Sequence, residues 1–360
     1  MNEKNYMNAI MKPQREVGIV GYGAYVPKYR LPAEEISRVW RDGQDLDFLP
    51  IKQKSVPGPD EDTITMYIEA AQNALQRAGI EPQNIGAVWV GSESHPYAVK
   101  PSGTLLAQVL GISPATVSGD LEFACKAGTE AMQAGIAFVG SGMGRYALAV
   151  GADTAQGRPG DALEYTAAAG SAAFILGAAE ESLAVLEGSY SYVTDTPDFF
   201  RRAHQKYPEH GNRFTGDLAY FLHIREAVTH LLDALGLTPQ DFAHVSFHQP
   251  NVKFPRKKAQ DLGFHAAQLE AGLLVDYIGN TYAGAAVLGL TAILDAAQPG
   301  ERILLASFGS GAGSDAFSFV ITDKIKEAQK LAPATMQYIR REETINYARY
   351  ARWRKKIVME

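Results

Sequence analysis

The sequence predicts an α/β protein made of two similar halves. Three observations carry that prediction: amphipathic helices alternate with all-apolar strands, one segment recurs at a fixed offset, and small-residue helices open at matching places. Gly79-Ile-Glu-Pro-Gln-Asn-Ile-Gly-Ala-Val-Trp-Val90 returns as Gly236-Leu-Thr-Pro-Gln-Asp-Phe-Ala-His-Val-Ser-Phe247, an offset of 157 (236 − 79). The same offset pairs Arg145-Tyr-Ala-Leu-Ala149 with Arg302-Ile-Leu-Leu-Ala306, so the two matches share one ungapped register and point to a duplication.

Each element follows from its pattern. Before the first Pro-Gln, Ile68, Ala71, Ala74, Leu75 and Ala78 fall on one face of a helix, and before the second, Ile224, Val228, Leu231, Leu232 and Leu235 do the same. After each Pro-Gln comes a nearly continuous apolar run, the pattern of a strand covered on both faces. A further strand, Ala115 to Ala124, runs into the small-residue helix that begins at Cys125. In the 157 register Cys125 falls opposite Tyr282, which starts a second small-residue helix, and small residues let two such helices approach closely. The strand ends Gly91-Ser-Glu-Ser-His-Pro96 and His248-Gln-Pro-Asn251 are equivalent as well. Ligands of open α/β sheets sit beyond the carboxyl ends of strands, so Glu93, Cys125, His248 and the glycine-rich Phe308-Gly-Ser-Gly-Ala-Gly313 are expected to converge.

Composition sets the class. With 46% hydrophobic residues, 21% charged residues and a net charge of −6, the 360-residue chain is expected to fold as a water-soluble globular protein. Its single cysteine excludes an internal disulfide framework and any cysteine-based zinc site. The mildly acidic balance argues against nucleic acid as a partner. No apolar run reaches membrane-spanning length, and the polar start lacks the plan of a signal peptide, so a cytoplasmic location and no membrane association are expected. Residues 1–16 are expected to be a flexible tail, 17–180 and 181–325 the two halves, and 326–360 a basic, aromatic tail that packs on its own domain or on a partner.

The chemistry-bearing residues each have a plain alternative. Cys125 at a helix start is a candidate nucleophile, since unpaired amides and the helix dipole favour a thiolate there; a buried small hydrophobe is the other reading. Glu93 at an apolar strand end is either a carboxylate of raised proton affinity or a solvated loop residue. His248 ends a strand and is expected to project into the site, with a satisfied structural histidine as its alternative. The glycine loop at 309–311 suits an oxyanion hole or a phosphate nest. Gly21-Tyr-Gly23 is too sparse for a dinucleotide fingerprint. His95 could tune Glu93, while His204 and His210 are expected to face solvent.

Together, a cysteine at a helix start, a histidine at the matching strand end, Gly279-Asn-Thr281 and the Phe-Gly-Ser-Gly loop resemble the thiolase superfamily, in particular its initiating condensing enzymes. Gly91 to Pro96, Phe123-Ala-Cys-Lys-Ala-Gly128, Asp195-Thr-Pro-Asp-Phe-Phe-Arg-Arg202 and Arg213-Phe-Thr-Gly216 are similar to the archaeal type of hydroxymethylglutaryl-CoA synthase. The resemblance covers roughly residues 17 to 357. It implies a layered αβαβα thiolase-like fold and the condensation of acetyl-CoA with acetoacetyl-CoA. It also implies no cofactor or metal beyond the coenzyme A thioesters themselves. Cys125 would carry acetyl, Glu93 would remove its methyl proton, and His248 would donate to the ketone. Asn280 would orient His248 or a water, and the amides of Cys125, Gly309 and Ser310 would form the oxyanion hole. Thr166, Thr215, Lys253 and Lys257 are expected to contact substrate or coenzyme A. A homodimer is implied, with an acetoacetyl-CoA thiolase and a zinc-ribbon/OB-fold protein as further partners meeting the tail and the 195–216 loop. A ketoacyl synthase III-like enzyme and a non-catalytic partner subunit remain the alternatives.

Overall fold

The computed structural model describes residues 10–43, 50–211 and 216–356. Nine strands form the main sheet: β1 (Val17–Tyr25), β2 (Ile85–Gly91), β3 (Val117–Leu121), β4 (Tyr146–Thr154), β5 (Ala169–Ala178), β6 (Ala184–Val193), β7 (His244–Phe247), β8 (Arg302–Ala306) and β9 (Gly313–Ile321). Their order is β7-β8-β9-β6-β1-β5-β4-β2-β3. Set β3 aside and the order reads the same from either end if β1, β2, β4 and β5 are matched to β6, β7, β8 and β9. That symmetry is the duplication expressed in space. The halves join where β1 meets β6 through two residue pairs, Gly18 with Val185 and Ile19 with Ala184.

The principal helices are α1 (Thr63–Ala78), α2 (Ser102–Leu110), α3 (Ala127–Gly140), α4 (Leu222–Leu235), α5 (Lys253–Asp261), α6 (Ala285–Ala296) and α7 (Tyr347–Trp353). An Asp62–Thr65 capping box starts α1. It covers the outer face of the first half with α2, where Met66, Tyr67, Ala70 and Leu106 are buried against Val88 and Leu148. On the second half α4 does the same, burying Ile224, Val228 and Leu231 against Val245 and Leu304. Between the halves lie α3 and α6, whose Met132, Ile136, Val287 and Leu290 share one core with Phe174 and Phe317 from the two half-sheets. Helix, sheet, helix, sheet, helix is the resulting order of layers. Burial on both faces explains why these strands read as uninterrupted apolar runs.

The repeat register holds in detail through the outer helix and its turn. α1 and α4 both end on a left-handed glycine, Gly79 (φ 62°) and Gly236 (φ 66°), and both lead into a 3-10 turn, Pro82–Asn84 and Pro239–Asp241. At the central helices the register has moved by one. Ala124 (φ 42°) and Tyr282 (φ 52°) are the matching left-handed residues, and α3 and α6 begin at 127 and 285. The structural counterpart of Cys125 is therefore Ala283, and Tyr282 is that of Ala124, a correction to the sequence pairing. The expected strand 115–124 is shorter, and its repeat position holds a short helix, Val275–Ile278.

Both chain ends are tied down where they are described. Met11 exchanges two backbone hydrogen bonds with Ser189, 2.7 and 3.0 Å, so residues 10–16 are not a loose tail; residues 1–9 lie outside the described residues. After β9, Ile325, Tyr338 and Ile339 enter the central core, and Tyr338 donates to Glu69 at 2.6 Å. α7 then packs on the first half, with Tyr350 buried and the Trp353 ring 4.7 Å from Tyr29. Most of the tail's aromatic surface is thus covered by its own chain. Gly21 and Gly23 lie inside β1 in pairing with β5, as no nucleotide loop would.

Candidate active site

Cys125 sits in a single 3-10 turn, Ala124–Lys126, that runs directly into α3. The turn is entered through left-handed Ala124, a backbone conformation costly for a residue with a Cβ and one that concentrates at functional sites. Gly128 lets the two central helices touch: a Cβ there would stand 2.4 Å from the Ala283 carbonyl oxygen. The cysteine is 6% exposed and lines a cavity of about 290 Å³.

That cavity also contains His248, Asn280, Thr166 and Ser310. Aromatic rings of Tyr220, Phe254 and Phe308 make much of its wall. His248 extends the β7–β8 pairing by donating its N–H to Ala306 O at 2.9 Å, and its own carbonyl accepts from the Tyr220 hydroxyl at 2.7 Å. Its ring is buried beside Tyr220 and Phe308, with Nδ1 lacking a protein partner. Burial pushes the imidazole down to about 3, so it is neutral at physiological pH.

Glu93 reaches Cys125 from the opposite side. It lines a second, polar cavity of about 410 Å³ with His95, Glu122, Arg201 and Lys206, and Phe199 is the residue shared by the two linings. The four strand ends therefore converge on the thiol from two chambers and not in one. Burial raises the Glu93 carboxyl well above the usual range, and Asp153 raises it further, against the opposing charge of Arg201. Cys125 behaves in the same direction. Burial first, then the negative charges of Glu93, Asp153 and Asp198, push the thiol well up. The sequence argument for a thiolate at the helix start is overturned, because a single turn's amides are outweighed by desolvation and three nearby carboxylates. The resting group is a thiol.

Asp153 organises this side and was not singled out in the sequence. Wholly buried at the end of β4, its Oδ1 accepts from Ser92 Oγ (2.6 Å), Glu93 N (2.9 Å) and Ser94 Oγ (2.6 Å), while Oδ2 accepts from Ala283 N at 2.8 Å. One carboxylate thus holds the Glu93 turn of the first half to the central helix of the second. The signal existed: a carboxylate directly after an all-apolar strand, at a carboxyl end. Asp198 was also missed as a site residue. It lines the first cavity, accepts from Gly311 N at 2.9 Å, and leaves Oδ2 buried without a partner. His210 is exposed, as expected, and one side of its ring packs on Phe199 at 5.4 Å and lines the same cavity.

Several assigned roles change. Asn280 makes no hydrogen bond to His248; its Oδ1 accepts from Tyr282 N at 2.9 Å, its N–H donates to Thr166 O at 2.8 Å, and its carbonyl accepts from Ala168 N at 2.9 Å. It shapes the entry to α6 and joins Thr166 to the site. Gly309 donates to Gly313 O at 2.8 Å and Gly311 to Asp198, so neither amide is available to an oxyanion, and Ser310 is the loop residue that lines the cavity. Glycine is required at 309 for another reason: a Cβ would meet Phe123 O at 2.4 Å, where the loop rests on the nucleophile turn. His95 turns away from Glu93 toward Ser102 (3.2 Å) and Asp120 (3.4 Å). Lys253 and Lys257 are exposed on α5 outside the cavity lining, though Phe254 between them contributes to it. Thr215 lies outside the described residues.

Comparison with known proteins agrees with this geometry. Residues 232–321 match the family model for the 3-oxoacyl-[acyl-carrier-protein] synthase III C terminal. The chain is 60% identical over 354 residues to the hydroxymethylglutaryl-CoA synthase of Thermococcus kodakarensis, covering 98% of this chain and 100% of that one. It is 55% identical over 351 residues to the enzyme of the same name from Methanopyrus kandleri, covering 96% and 99%. Among solved structures, MvaS in complex with 3-hydroxy-3-methylglutaryl coenzyme A superimposes with a TM-score of 0.85 at 23% identity, over 96% of this chain and 92% of that one, which shows a shared thiolase-like fold. Identity of this order over nearly the whole of both chains places the protein: it belongs to the hydroxymethylglutaryl-CoA synthase family.

Proposed function

We propose that this chain condenses acetyl-CoA with acetoacetyl-CoA and water to give 3-hydroxy-3-methylglutaryl-CoA and CoA, the reaction its relatives are named for, through an acetyl thioester on Cys125. The observation that carries this reading is the placement of a buried thiol between two chambers, with a neutral imidazole on one side and a carboxylate of raised proton affinity on the other.

Each position suits one step. Acetyl transfer to Cys125 exchanges one thioester for another, the thiol proton ending on the departing coenzyme A sulfur, so this step does not depend on His248. Glu93 then removes a methyl proton from the acetyl group; a carboxylate with raised affinity is the stronger base. The carbanion attacks the ketone of acetoacetyl-CoA in the apolar chamber, where His248 donates to the oxygen that becomes an alkoxide. Water finally cleaves the thioester and restores the thiol. Thr166 and Ser310, which line the same cavity, are suited to contact the acyl groups. Lys253 and Lys257, on the helix whose Phe254 walls the cavity, are suited to the phosphates of coenzyme A.

The same reading takes residues 17–180 and 181–325 as the two halves, and a homodimer as the working form. β3, a half-buried strand at the edge of the main sheet, supports dimerisation, since an unpaired strand edge seeks a partner. A cytoplasmic location and association with an acetoacetyl-CoA thiolase and a zinc-ribbon/OB-fold protein belong to the proposal. Among the described residues no helix is long and apolar enough to cross a membrane. Incubating the protein with both thioesters and separating the products by chromatography tests the reaction. 3-Hydroxy-3-methylglutaryl-CoA is the expected product; a β-keto thioester in its place would favour the ketoacyl synthase reading.

A further inference from the structure

We propose that the polar cavity beside Glu93 is the water and carboxylate chamber of the reaction, and that Arg201 binds the carboxylate released there from Cys125. This inference rests on the condensation reading above and extends it to the last step.

When hydrolysis must occur, the apolar cavity is already occupied. After condensation the six-carbon acyl group is bound at both ends, to Sγ of Cys125 through one thioester and to coenzyme A through the other. On the condensation reading, which puts acetoacetyl-CoA against His248, the coenzyme A arm of that adduct occupies the chamber lined by His248 and the aromatic rings and fills it. Water has to reach the Cys125 thioester from its other face. At the nucleophile turn the chain crosses from the polar chamber, lined by Ala124, to the apolar one, lined by Cys125, and it crosses again through Asp198, Phe199 and Phe200. Phe199 closes the rest of the partition, its ring 6.1 Å from that of Tyr282.

The lining suits the chemistry. Water oxygen adds to the acyl carbon, the carbon–sulfur bond breaks, and the sulfur leaves with a proton as the thiol. Of the two protons of the water, one passes through Glu93 or a neighbouring water to that sulfur, and the other is released as the acid formed ionises. A new negative charge therefore appears next to Glu93 and Glu122, where it needs a cation. Lys206 divides its ammonium between Lys355 O at 3.2 Å and the Tyr207 ring at 5.4 Å. Arg201 donates from Nη1 to Gln205 O at 3.2 Å, which leaves its other N–H groups for a carboxylate, and its charge already acts on Glu93. Because Arg201 is exposed, its replacement should leave the fold intact.

The test is Arg201→Gln, with Arg201→Lys as the charge-retaining control, read by intact-protein mass after acid quench and by steady-state turnover. With acetyl-CoA alone, Arg201→Gln should acetylate at the wild-type rate. With both thioesters present it should turn over about fivefold more slowly, as suits one partly exposed charge contact, and accumulate the full coenzyme A-bearing adduct on Cys125. Arg201→Lys should recover most of the rate. Unchanged turnover, or slower turnover without accumulated adduct, overturns the chamber assignment while the wild-type enzyme still makes product. Failure of the wild-type protein to make 3-hydroxy-3-methylglutaryl-CoA overturns the reaction itself and this inference with it.

Discussion

Asp153→Asn is the substitution with the most defined consequences. The two oxygens of Asp153 accept four hydrogen bonds, two of them from backbone N–H groups on opposite sides, Glu93 and Ala283. An asparagine keeps one oxygen. If its NH2 faces Ala283, that buried N–H meets a donor; if the amide is turned over, the Glu93 N–H does. The serine hydroxyls can rotate to accept, but a backbone N–H cannot, so either orientation leaves one buried donor unpaired, at about 1–3 kcal/mol. Weaker bonds from a neutral acceptor add to this, and loss of the repulsion between Asp153 and Glu93 offsets part. A net loss of about 2 kcal/mol is expected, measured as a lower denaturant midpoint at unchanged slope. A second readout follows from charge. Asp153 raises the proton affinity of Glu93, so removing it lowers that affinity, moving the acid limb of the rate profile to lower pH and reducing the maximum rate. Wild-type stability together with an unmoved acid limb would refute this account of Asp153.

Other predictions concern single steps. Glu93→Gln should acetylate on Cys125 yet lose condensation by about 10²–10⁴-fold, the usual worth of a general base, in a coupled product assay. His248→Ala should acetylate more nearly normally than it condenses, with the larger loss in the step that uses acetoacetyl-CoA; an equal collapse of both steps in rapid-quench experiments would mean that the ring serves mainly to activate the thiol. Burial lowers the folded-state affinity of His248 to about 3, so its contribution to stability is complete above the unfolded value of about 6.5 and is lost as pH falls below it. At 1.4 kcal/mol per pH unit, the wild type should lose about 2 kcal/mol more than His248→Gln between pH 6.5 and 5 in denaturant titrations. Lys356→Ala should destabilise the first half, because the Lys356 ammonium is buried 3.7 Å from Glu164 and also bonds Gly157 O; an unchanged denaturant midpoint would count against this anchoring of the tail.

Patterns of hydropathy reach the fold through burial, which is why the double-faced strands, the paired outer helices and the central small-residue helices could all be placed from residue order. Cys125 and His248 were legible for the same reason: each stands where a regular element ends. What escaped the sequence depends on distance and desolvation. Asp153 counts as one acid among forty until its four donors are seen around it. The thiol's raised affinity comes first from burial and then from three carboxylates far apart in the chain. A one-residue shift before the central helices was invisible because Ala124 and Tyr282 share a backbone angle and not a residue type. The role of Gly309 changed because its amide closes its own loop on Gly313. The tail is anchored by charges no periodicity marks: buried Lys54 donates to the Tyr350 hydroxyl at 3.1 Å, and Tyr347 donates to Glu164 at 3.0 Å.

The central claim is that Cys125 carries the acetyl group between the two chambers. Intact-protein mass spectrometry after brief mixing with acetyl-CoA, followed by peptide mapping, tests it directly. A single acetyl on the peptide containing Cys125, absent from Cys125→Ala and cleared when acetoacetyl-CoA is added to the wild type, is the predicted result. No acetylation of the wild type, or a Cys125→Ala variant that still makes 3-hydroxy-3-methylglutaryl-CoA at a substantial rate, would contradict it.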